Sequence, residues 1–239
     1  MESPEIHSTP SLEKSAKGML PWSVRDTWIA VALSFLVTLG LLFLTLRFPL
    51  TKMAETYGLA VLESAYLLPT AFILIWRRAN WRLLGFRSFQ WSALGLGCGL
   101  ALGAYAIIFL HNLILFALGV DTQGDMMMHL FELLRSPLWF FFVGIVLAPV
   151  VEETFFRGVL FQGFRQRYGW LTAALLSSAI FAISHLDPAS LIPTFMLGFV
   201  LAITYHRSNS LWPGMILHFL VNAWGLCAAF VATRLPEWL

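Results

Sequence analysis

Residues 148–160 read APVVEETFFRGVL, and they set two carboxylates and a guanidinium in the middle of an apolar run that begins near Pro137. A charged side chain at the centre of a membrane-embedded helix costs about 2.5–3.5 kcal/mol on insertion scales. Such groups face the interior of a helix bundle, are paired, and mark functional sites. On a helix Glu153 and Arg157 stand at i and i+4, on one face and in the favourable order for an ion pair. Glu152 points about 100° away and has no basic residue three or four positions on. The spacing therefore predicts a structural pair, Glu153–Arg157, and leaves the Glu152 carboxylate free for chemistry. The bland alternative makes all three one structural knot, or the lining of a transport path.

The rest of the chain agrees that the setting is a membrane. Of its 239 residues 59% are hydrophobic and 12% charged, with a mean hydropathy of +0.76, against about 25% charged in a soluble domain. Several runs approach or exceed the ~18–20 apolar residues that cross a bilayer as a helix. The predicted fold class is all-α, a polytopic transmembrane helical bundle of about seven spans (six or eight, depending on whether short runs are re-entrant) with an intramembrane catalytic cavity. A net charge of +2 with no basic cluster among aromatics points away from nucleic acid. The two cysteines, Cys98 and Cys227, lie inside apolar runs without a CxxC neighbour, which predicts neither a disulfide framework nor a redox site. The polar first twenty residues predict no cleavable signal peptide.

Residues 1–24 read as a disordered or surface tail, 25–136 as N-terminal membrane spans, 137–232 as the catalytic-core spans and 233–239 as a C-terminal tail. Spans are expected at about 26–48, 57–76, 91–118, 137–164, 170–185, 189–205 and 211–231. Asp121, Asp125, His129, Glu132 and Arg135 are assigned to a solvated loop, whose Met/His run could bind copper weakly, and Asp187-Pro188 to a turn. The tail lysines, the Arg77–Arg87 loop, Arg165, Arg167 and Arg207 outnumber Arg47, Lys52, Arg135 and Arg234. A cytoplasmic N-terminus follows from that excess. Glu152, about 15 residues beyond Pro137 and so ~22 Å along the axis, is expected in the cytoplasmic half.

Two further stretches carry polar groups at helical spacing. Phe181 and His185 share a face near the end of span five, where the ring of Phe181 can pack beneath the imidazole. His218 and Asn222 share a face inside span seven. Each taken singly fits a capped interfacial histidine or inter-helix glue. Taken together, Glu152, His185, His218 and Asn222 offer a general base, a second acid/base group and donors for a developing oxyanion. No serine or cysteine stands beside them as a nucleophile, so activated water is the economical route to hydrolysis.

EExxxR, FxxxH and HxxxN in this order resemble the three motifs of the CPBP intramembrane endopeptidases, the CAAX-processing and bacteriocin-processing enzymes. The resemblance covers about residues 137–225, with Glu152, Glu153, Arg157, Phe181, His185, His218 and Asn222 all filled. It implies that Glu152 and His185 activate the attacking water. It also implies that His218 and Asn222 stabilise the oxyanion, that Glu153 and Arg157 support them, and that a conical cavity opens towards the cytosol.

The family is often labelled metalloprotease, and Glu152, His185 and His218 would make a zinc ligand set with an open position. HExxH is absent and Glu153 is committed to Arg157, so no cofactor is assigned and metal-independent water activation is favoured. The expected partners are the bilayer and a peptide or protein substrate: a CAAX-like, leader-peptide or membrane-anchored chain, lipid-anchored in the first case. The alternatives are a membrane immunity or scaffold protein and a transporter. A transporter would favour inverted repeats, which the sequence does not show.

Overall fold

The computed structural model describes residues 20–47, 52–133 and 137–238. Among the described residues there is no strand, and six helical segments are long and apolar enough to cross a membrane. In chain order the helices are α1 (Val24–Arg47), α2 (Lys52–Ser64), α3 (Leu67–Trp76), α4 (Trp91–Ala117) and α5 (Gln123–Leu133). There follow α6 (Pro137–Phe142), α7 (Ala148–Glu152), α8 (Gln162–Ser184), α9 (Leu191–Ser208) and α10 (Trp212–Trp238). The segment Pro137–Ser184 is one apolar run of 48 residues, more than twice what a bilayer requires. It folds as two helices, because Gly169 (φ 77°, ψ 170°) takes a left-handed conformation open to glycine and breaks the run. Beyond it α8 folds back, so that Phe181 meets Phe156 with ring centroids 5.0 Å apart. Gly169 thus divides the longest of the six apolar segments into two helices that lie against each other.

The first of these two spans is the axis of the molecule. Every residue from Val151 to Phe164 is buried, as expected of a helix surrounded on all sides. α1, α3, α8, α9 and the 3₁₀ turn Trp81–Leu84 pack around it. This axial helix widens twice into π-helical turns, over Val143–Leu147 and Glu153–Phe161. Pro149 explains the first: it has no N–H for the carbonyl four residues back, Ile145, which lies within the widened turn. Such wide turns recur at functional sites, and here they flank Glu152 on both sides.

Three expectations are corrected. Residues 1–19 of the anticipated tail lie outside the described residues, but from Leu20 on the chain is docked. Trp22 is 1% exposed and its carbonyl accepts from Gln166 Nε2 at 2.8 Å. Residues 233–238 of the expected C-terminal tail are not separate, since α10 continues to Trp238, and residue 239 lies outside the described residues. The solvated loop is the helix α5, held by a capping box in which Thr122 N–H donates to Asp125 Oδ2 at 2.7 Å. Phe131 buries its apolar face against Phe140, Phe141 and Phe230. The T-x-x-D pattern at Thr122–Asp125 is the sequence signal for that helix start.

The arginine-rich loops gather at one end of the bundle. Arg77 Nη2 reaches Asp26 Oδ1 at 2.6 Å, Arg165 Nη1 donates to Asn209 Oδ1 at 3.3 Å, and the Arg87 carbonyl accepts from Ser210 at 2.6 Å. The helix α5 closes the opposite end, following the far end of α4.

Candidate active site

Glu152, Glu153 and Arg157 project from the axial helix, at 6%, 0% and 0% exposure. Arg157 Nη1 donates to Glu153 Oε1 at 2.7 Å, and its Nη2 donates to the carbonyl of Gly198 on α9 at 2.9 Å. The guanidinium lies over the Phe181 ring at 4.8 Å, a favourable cation–π distance. Arg157 therefore ties the axial helix to both α8 and α9. Gly214 on α10 makes room for the second carboxylate oxygen: a Cβ there would stand 2.8 Å from Glu153 Oε2.

His218, 2% exposed, enters between the two glutamates. Its Nε2 is 3.5 Å from Glu152 Oε2 and its Nδ1 is 3.5 Å from Glu153 Oε1. Both separations exceed a direct hydrogen bond. Both neighbours are acceptors when ionised, and neither ring nitrogen can satisfy an ionised carboxylate without a proton.

Asn222, one turn along α10, does not share His218's partners. Its Nδ2 donates to the Gly144 carbonyl at 2.8 Å, across to the first widened turn. One amide hydrogen is thus used for positioning and the other remains for the cavity. His185 caps α8. Its Nδ1 faces the Phe181 carbonyl at 2.8 Å, an acceptor only, so Nδ1 carries the proton and Nε2 of the neutral ring holds the lone pair. The Phe181 ring meets the His185 ring edge-on at 4.8 Å and the His218 ring at 6.0 Å.

Glu152, His185, His218 and Asn222 all line one cavity of about 450 Å³. It lies towards the α5 end of the bundle, since Gln123, Met127 and Leu130 also line it. Along the axial helix Glu152 falls midway between Pro137 and Gly169 rather than nearer the arginine-rich end. For zinc, no three His, Cys, Asp or Glu side chains among the described residues stand together as a metal site would need. The Glu152, His185 and His218 side chains therefore do not form a ready tetrahedral set.

Sequence reasoning missed several parts of this site. Glu63 of α2 lines the same cavity, and its signal was a lone carboxylate inside an apolar span. Gly144, Gly198 and Gly214 act through a backbone carbonyl or through lack of bulk, and nothing in a single sequence marks them.

Residues 134–224 match the family model described as "Type II CAAX prenyl endopeptidase Rce1-like". The chain is 24% identical over 107 residues to the "Putative membrane peptidase YdiL" of Bacillus subtilis (strain 168), covering 45% of this chain and 44% of that one. It is 34% identical over 86 residues to the "Uncharacterized 24.3 kDa protein" of Escherichia coli, covering 34% of this chain and 40% of that one. The chain spans less than half the length of these curated relatives. No solved structure matches. The resemblance carried by the three motifs is borne out over this segment, which is similar to the CAAX-type intramembrane endopeptidases.

Proposed function

We propose that this CPBP-type membrane protein is an endopeptidase that hydrolyses a peptide bond of a membrane-associated substrate with water activated by Glu152. The observation that carries the reading is the position of Glu152. It is a buried carboxylate on a cavity wall, and unlike Glu153 it has no arginine of its own. Water is the only nucleophile the site needs, and a carboxylate is its ordinary base.

In this mechanism Glu152 takes one proton from water as the water oxygen bonds to the scissile carbonyl carbon. The carbonyl electrons move onto oxygen, and the oxyanion meets His218 and the free N–H of Asn222. The C–N bond then breaks, the proton passes to the leaving amine, and an acid and an amine are released. Preorganised donors in a dry site are the largest contribution to such a step. His185, its Nδ1 fixed on the Phe181 carbonyl, presents Nε2 as the second base at the water. Glu153 and Arg157 hold His218 and the helix framework in place. No metal is needed for any of these steps.

The arginine-rich end is assigned to the cytoplasm by its positive charge. The cavity then lies towards the opposite side, in contrast to the cytosolic opening that the resemblance implied. Substrates that present a peptide at that side, such as a leader peptide or a membrane-anchored regulator, suit this arrangement better than a cytosolic CAAX terminus.

The test is reconstitution in liposomes with lipid-tethered peptides, reading new termini by mass spectrometry with and without a strong chelator. Cleavage that survives chelation is expected. Inactivation reversed by zinc alone would reassign His185 and His218 as ligands, and absence of cleavage of any peptide would favour the immunity or scaffold reading.

A further inference from the structure

On the reading that the cavity hydrolyses peptides, we propose that Glu63 receives a basic side chain, Lys or Arg, of the substrate. Glu63 sits near the end of α2, which packs against the turn carrying Glu152, and both carboxylates line the one cavity. Glu63 Oε2 is shut away from solvent with no hydrogen-bond partner. An ionised carboxylate in such a place requires a cation.

Among the described residues, no Lys or Arg lines the cavity. Arg157 is occupied by Glu153 and the Gly198 carbonyl, and His218 stands between the two motif glutamates. Leu59, one turn back from Glu63 on α2, lines the same cavity, and the rest of its lining is mostly apolar, Ala104 and Ile108 included. A carboxylate at the end of an apolar slot takes the stem of a long basic side chain along the slot and its charge at the tip. The substrate's own cation completes the pair that the fold leaves open.

The experiment uses the full chain in liposomes with a randomised lipid-tethered peptide library, and reads the residues flanking each cut by mass spectrometry. Wild type is expected to enrich Lys or Arg at one position. Glu63→Gln, which keeps shape and removes charge, should bring that enrichment down about 30-fold or more, the loss typical of stripping one partner from a buried charge pair. Glu63→Asp should retain the preference. A cleavage pattern unchanged in Glu63→Gln would overturn the proposal, as would an equal loss on basic and neutral peptides, which points to proton transfer instead. Equilibrium binding of matched lysine and norleucine peptides separates this idea from the protease reading. A lysine preference that depends on Glu63 without cleavage supports recognition and contradicts the protease reading. Cleavage without such a preference does the reverse.

Discussion

His218 Nε2 stands 3.5 Å from Glu152 Oε2, while the other nitrogen of the same ring stands 3.5 Å from Glu153 Oε1. One imidazole thus connects the carboxylate assigned to water with the carboxylate held by Arg157. The two faces that helical geometry assigns to consecutive glutamates converge on it from either side. A change at the structural pair should therefore be felt at the reactive end.

The Glu153–Arg157 pair should show this coupling in stability and in activity. Each single alanine substitution strands a buried charge and should lose about 3–5 kcal/mol. The double substitution should recover part of that in a double-mutant cycle followed by thermal unfolding in detergent. Purely additive losses would deny the pair its energetic role.

Gly214→Ala tests the same carboxylate from the other side. A methyl group 2.8 Å from Glu153 Oε2 must push the carboxylate away from His218, and overpacking of this kind costs about 1–3 kcal/mol. Lowered kcat with a modest fall in thermal stability is expected. Unaltered kinetics would show that His218 does not depend on the Glu153 position.

Asn222→Ala removes a donor to the Gly144 carbonyl together with the free N–H proposed for the oxyanion. Loss of one preorganised donor lowers kcat by about 10²–10³. The fall should appear mainly in kcat, with KM little changed. An effect confined to KM would make Asn222 a binding residue only.

The fold and the site were legible in the sequence to different depths, for physical reasons. Hydropathy located the spans, because the bilayer demands long apolar helices. Gly169, unlike Asp187-Pro188, gave no strong breaker signal, yet its left-handed conformation divides the longest run. Helical spacing predicted the Glu153–Arg157 contact, since i and i+4 meet on any helix. It did not reveal the separate partners of His218 and Asn222, which share a face of α10 but meet different turns of the axial helix. Glu63 was passed over because no motif includes it, and α5 because its methionines and charges read as solvated chain. Its capping box carried the signal.

Acid should loosen α5 before the bundle. The Thr122 backbone N–H and hydroxyl hold the Asp125 carboxyl below its ordinary range. A carboxyl whose folded value is lowered contributes stability above its unfolded value, and that contribution is lost as pH falls through the lowered folded value. Thr122→Ala should destabilise the helix start by about 0.5–2 kcal/mol. Hydrogen exchange along Gln123–Leu133 should rise, beyond the intrinsic pH effect, as the medium is acidified into that range. Protection independent of pH would contradict the cap.

The central claim is that Glu152 activates water, and its most direct measurement is single-turnover cleavage by purified wild type and Glu152→Gln in the same liposomes. The amide preserves size and shape but cannot take a proton, and loss of a general base lowers rate by about 10²–10⁴. Glu152→Gln should bind the tethered peptide and unfold at the wild-type temperature while generating none of the wild-type termini. Near-wild-type turnover by the folded variant would remove Glu152 from the chemistry.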